Sequence, residues 1–149
     1  MSRSTNPREF LADDESEQVA EAIAEAERRT SAEVKVSIVR HCWTDVDSKA
    51  RRTFHALGLD QTEQRNCVLI LIVTTNREFA VFGDEGIHQK VGQGLWDAVR
   101  DAMTDRFREG AMGEGICEAV RVIGERLAEH FPYHAEDRDE IPDEVAYED

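Results

Sequence analysis

The sequence predicts an α/β/α sandwich: a small mixed sheet with helices on both faces, built from a parallel βαβ crossover and one antiparallel hairpin strand. Three observations carry this. Residues 67–73 (CVLILIV) are apolar on both parities, as in a central strand covered on both faces. Apolar residues recur at helical spacing before, between and after the strand-like segments, so helices are distributed along the chain rather than segregated. The connection after residue 73, TTNR, is so short that the next strand can only return antiparallel.

In chain order, the first helix is expected from Asp13 or Asp14 to about Arg29. Asp14 and Glu17 are spaced as a capping box, and Val19, Ile23 and Ala26 form the buried stripe. Residues 33–39 (EVKVSIV) alternate and read as the first strand. Val46, Ala50, Phe54 and Leu57 then mark a helix ending at Gly58, which can adopt a left-handed cap. The loop LDQTEQRN leads to the central strand, and a third strand follows over about 77–82. GDEGIHQKVGQG is glycine-punctuated, with one helical turn over 85–90. Two amphipathic helices close the fold, one with the stripe Trp96, Val99, Met103, Phe107, the other with Ile116, Val120, Ile123, Leu127 and Phe131 before Pro132.

The 149 residues divide into one domain, 1–133, and an acidic C-terminal tail, 134–149, whose eight acids and one base carry −7 of the total −14. Such a run reads first as a solvated end, although Ile141, Pro142 and Val145 offer an apolar anchor for docking. The acidity argues against nucleic acid and anionic membranes, which are bound through Lys and Arg. Cations or a basic protein surface match it better. No apolar run approaches the roughly 20 residues of a membrane span, and the first 15 residues hold no apolar signal core, so a soluble, cytoplasmic chain is expected. Three cysteines at no metal-like spacing suit a reducing compartment, with Cys42 the exposed one.

A right-handed crossover places the amino ends of the first two strands beside the carboxyl end of the third. This brings Asp84 and Glu85 near Arg65 and Asn66 and near Glu33. Carboxylate and amide oxygens on an irregular loop suit a hard cation, Ca²⁺ first and Mg²⁺ second. The expected metal ligands are therefore Asp84, Glu33, Asn66, Glu85 and, from the tryptophan helix, Asp97, with Arg65 as a substrate-binding group. Arg65 is equally placed to pair with Asp84 or Glu33 as an ordinary ion pair. Zinc at His41, Cys42, Asp45 and Asp47 is disfavoured because adjacent His41 and Cys42 diverge and the aspartates serve more simply as helix caps. Pro132 breaks the alignment of His130 with His134. No GxSxG, HExxH, CxxC or Walker loop occurs.

RTSAEVKVSIV, FHALGLDQTEQRNCVLILIV, FAVFGDEGIHQKVGQGLWDAV, the terminal HFP and the acidic IPDE segment together resemble the TPM domain family of photosystem-repair proteins and bacterial relatives, over about residues 8–145. The resemblance implies a Rossmann-like α/β/α sandwich, divalent-metal binding in some members, and a proposed acid phosphatase activity. Its polar turn falls on Gly83, Asp84 and Gly86, with Arg65, Asn66 and Glu33 beside it. Cys67 departs from the family pattern, which has glycine there, and a side chain at that point is expected to crowd the backbone beside Asp84. Two functions follow: a non-enzymatic cation-binding interaction module, or a metal-dependent phosphomonoesterase. The second lacks an evident nucleophile and opposes a phosphorylated substrate with its negative field.

Overall fold

The computed structural model describes residues 4–133 and 141–149. Among these residues six α-helices, α1 (Pro7–Phe10), α2 (Asp13–Glu27), α3 (Val46–Ala56), α4 (Glu85–His88), α5 (Gln93–Arg108) and α6 (Met112–Leu127), surround four strands, β1 (Glu33–Val39), β2 (Cys67–Val73), β3 (Glu78–Gly83) and β4 (Ala146–Glu148). The sheet order is β3-β2-β1-β4. β1 and β2 run parallel with Glu33 opposite Cys67, and β2 and β3 antiparallel with Val68 opposite Gly83. This is the mixed α/β sandwich that periodicity and connection lengths predict.

Two apolar layers hold the sheet. Val34, Val36 and Ile38 of β1 and Val68, Ile70 and Ile72 of β2 pack under α2, α5 and α6. The opposite parity of β2, Cys67, Leu69, Leu71 and Val73, packs against Ala50 and Phe54 of α3 and Leu59. Every residue of β2 is at most 1% exposed, which is why CVLILIV carries no polar face. Gly58 takes φ +71°, the left-handed conformation expected after α3.

The first long helix begins at Asp13, and its box-forming residue is Glu15, which accepts the Ala12 N–H at 3.0 Å, rather than the expected Asp14 and Glu17. The other oxygen of Glu15 accepts the Gly113 N–H at 3.2 Å, so one carboxylate serves the starts of α2 and α6.

The fourth strand lies outside the expected three. β4 pairs in parallel with Ser37–Val39 on the free side of β1, and Ile141 is 7% exposed. Of the solvated and docked readings that the sequence leaves open for the tail, residues 141–149 take the docked one, because β1 has an unfilled edge and a second face that α3 does not cover. Residues 134–140, including His134, lie outside the described residues. Among the described residues no helix is long and apolar enough to cross a membrane.

Candidate functional site

The corner where β1 and β2 begin and β3 ends is assembled by main-chain bonds. Glu33 N–H donates to Asn66 O at 3.1 Å, Asp84 N–H to Cys67 O at 3.0 Å, and Gly86 N–H to Arg65 O at 2.9 Å. Gly86 has to be glycine: a Cβ there would meet the carbonyl oxygens of Gln64 and Arg65 at 2.3 and 2.5 Å. Arg65 takes the left-handed φ of +52°, uncommon for a residue with a side chain, at the turn into β2.

Asp84 is the centre of this corner, its side chain 5% exposed. It caps α4 by accepting the Glu85 N–H at 2.8 Å. Arg65 meets it in a fork: Nε to Oδ2 at 2.7 Å and Nη2 to Oδ1 at 2.9 Å, with Glu85 Oε1 3.3 Å from Nη1. These bonds, those to Asp84 first, raise the guanidinium pKa above its ordinary value. Of the two partners open to Arg65 from the sequence, Asp84 and Glu33, the fold selects Asp84.

The other expected ligands are placed differently. Glu33, 4% exposed, faces the α3 side and accepts the Ile141 N–H at 2.9 Å. Asn66 is 2% exposed, and its buried Nδ2, a donor, has no hydrogen-bond partner among the described residues. Asp97 stands on the exposed side of α5 and accepts from Gln93 Nε2 at 3.3 Å. The structure thus brings Glu33, Asn66 and Asp84 to one sheet edge through their backbones, while the carboxylates of Glu33 and Asp97 are engaged elsewhere. Among the described residues no group of three or more His, Cys, Asp or Glu stands together as a metal cage. The oxygens that do converge are the carboxylates of Asp84 and Glu85, both on the Arg65 guanidinium, while the carbonyls of Gln64 and Arg65 face Gly86. A guanidinium thus already sits on both carboxylates.

Cys67 does not keep the backbone from Asp84. Its carbonyl receives the Asp84 N–H, and its side chain joins the apolar layer under α3. At the opposite sheet edge, Cys42 Sγ–H donates to Thr44 O at 2.9 Å and Asp45 caps α3 through the Ser48 N–H at 2.9 Å. Sequence reasoning missed Lys35. It is 8% exposed in the middle of β1, and burial lowers its pKa despite nearby Glu144. Its position in EVKVSIV, on the same parity as Glu33, was the available signal.

Fold and corner together define a small α/β sandwich with a capped, arginine-latched GDEG turn. The profile of the TPM domain matches residues 4–126, and the chain belongs to that family. The structure is similar to that of BA42 protein from the psychrophilic bacterium Bizionia argentinensis, with a TM-score of 0.90, 32% identity, and coverage of 97% of this chain and 99% of that one. Two further solution structures share the fold. The N-terminal domain of a P. gingivalis protein matches at a TM-score of 0.67 and 19% identity over 85% of this chain and 83% of that chain. The N-terminal domain of cg2496 from Corynebacterium glutamicum matches at 0.64 and 11% over 78% and 74%. No curated protein matches the chain.

Proposed function

We propose that this TPM domain is a non-enzymatic binding module whose GDEG corner exchanges its internal cation, the Arg65 guanidinium, for a divalent ion. The observation that supports this reading is the forked contact of Arg65 with Asp84, a carboxylate 5% exposed, with Glu85 on the same guanidinium. Asp84 and Glu85 would hold the ion on the irregular turn between β3 and α4, with water completing its shell. Ca²⁺ suits such an irregular mixture better than Mg²⁺, which demands near-octahedral geometry and keeps its waters. No observation favours the phosphomonoesterase alternative. Both Asp84 oxygens are held by the guanidinium, which makes that carboxylate a poor nucleophile or base, and the net charge of −14 opposes a phosphorylated ligand.

The test is an amide-resolved NMR titration of metal-stripped protein with Ca²⁺ and then Mg²⁺. Saturable shifts centred on Arg65, Asp84 and Glu85 are expected, strengthened in Arg65→Gln, where the competing cation is gone, and abolished in Asp84→Asn. No localised response in either the natural sequence or Arg65→Gln would sink the proposal.

A further inference from the structure

The face of β1 that α3 leaves uncovered is built to hold an extended main chain. A three-layer sandwich normally covers such a face with apolar side chains, yet this one carries Glu33 and Lys35, both under 10% exposed. Both contact residues 141–144 through main-chain atoms. Ile141 N–H donates to Glu33 Oε1 at 2.9 Å, and Lys35 Nζ donates to Pro142 O at 3.1 Å and Glu144 O at 2.6 Å. Further along, β4 adds to the edge of β1 and Arg40 N–H donates to Glu148 O at 2.9 Å. Recognition of this kind reads the path of a peptide more than its side chains, as in β-strand addition.

Side-chain selectivity is supplied at two points. Ile141 is the aliphatic anchor, packed in the α3-side layer, and a cavity of about 380 Å³ lined by Lys35, Leu57, Leu59, Gln61 and Pro142 remains open beside it. At the other end the segment meets cations. Lys49 pairs with Glu148 at 2.6 Å, Arg40 with Asp149 at 3.4 Å, and Arg8 lies over the Tyr147 ring at 5.3 Å. Although the chain as a whole is acidic, four basic side chains, Arg8, Lys35, Arg40 and Lys49, meet this one segment. The TPM match itself stops at residue 126, before the segment begins.

We propose that this groove along β1 is a docking site for an extended acidic peptide of a partner protein, with an aliphatic anchor followed by acidic residues, and that residues 141–149 occupy it in cis as an exchangeable strap. The strap competes at the high effective concentration of an attached segment, so a partner gains access only when it opens. This site meets the GDEG corner at Glu33, whose N–H belongs to the corner and whose carboxylate belongs to the groove, and its test uses no metal.

The experiment uses the full chain, with the free peptide of residues 134–149, fluorescently labelled, as probe. By hydrogen exchange the Arg40 and Ile141 amides should open at least ~100-fold faster than the β1–β2 ladder amides, as a locally released unit. Ile141→Asp, which removes the anchor, and Glu148→Lys, which breaks the terminal pair from the strap's side and leaves the groove's own cations in place, should each bind the peptide saturably at one site. Adding Lys35→Met to either variant should weaken binding about tenfold or more. Strap amides that exchange together with the β1–β2 ladder overturn the proposal, as does a lack of saturable binding in both releasing variants. A concentration-dependent dimer of the natural sequence without peptide binding assigns the groove to a second copy and overturns the partner reading.

Discussion

Gly83, the last residue of β3, lies directly against Trp96 of α5: a Cβ on Gly83 would sit 2.4 Å from Cη2 and 2.9 Å from Cζ2 of that ring. Trp96 is 7% exposed, so the indole has little room to withdraw. Gly83→Ala should therefore cost about 1–3 kcal/mol through overpacking, measured by urea unfolding. Gly94, in the first turn of α5 with nothing among the described residues within 4 Å of its would-be Cβ, is the control. Gly94→Ala should leave stability unchanged or raise it by about 0.5 kcal/mol. Equal stabilities of the two variants would refute the close contact.

Lys35 makes stability depend on alkaline pH. Burial lowers its pKa below the unfolded value of 10.5, so between the folded and unfolded values the unfolded chain binds more protons. Below the folded value its charge is a constant cost to folding, and that cost is relieved as pH rises toward 10.5. Relative to Lys35→Met, the natural protein should gain stability on going from neutral pH toward 10.5. A difference between the two that stays flat across this range would show that Lys35 titrates as it does in the unfolded chain.

The three free cysteines should separate by reactivity. Cys67 is fully buried, and desolvation, aided by Glu33, pushes its thiol far above the ordinary range. Burial also raises Cys117, which is half-buried beside α2. The thiolate is the reactive form, so iodoacetamide at about pH 8 should modify Cys42 first, then Cys117, and Cys67 only after unfolding. Mass spectrometry of peptides from a time course gives the order, and early labelling of Cys67 would contradict the packing of β2 under α3.

Trp43 is 86% exposed and stacks on His41 with ring centroids 5.1 Å apart, whereas Trp96 is buried. Acrylamide should quench one class of tryptophan emission and leave the other. Trp43→Phe should abolish the quenchable class and change stability by no more than about 0.5 kcal/mol, as for a surface position that packs against little. A larger loss would mean that the His41–Trp43 pair supports the sheet edge.

Much of this was legible in the residues themselves. Ala50 and Phe54 recur at helical spacing because only one side of α3 meets the sheet, and the parity of 67–73 reports a strand covered twice. The hairpin length sets the direction of β3 and so brings Asp84 beside Asn66 and Cys67. Other features were not legible. Arg65 had two carboxylates in reach, and the choice of Asp84 depends on a left-handed turn that no local pattern announces. Glu33 and Lys35 look like the outward residues of an amphipathic strand. They are buried because residues 141–149 lie over them, more than a hundred positions away.

The sequence by itself determined the sandwich, the parallel and antiparallel pairings of β1, β2 and β3, and the TPM resemblance. These follow from hydrophobic period and connection length, which are local properties of the chain. Only the tertiary structure decided that Arg65 latches Asp84, that Asp97 stands apart from that corner, and that 141–149 completes the sheet. Each of these is a contest between polar partners, and polar groups choose by distance and desolvation, quantities that exist only once the chain has folded.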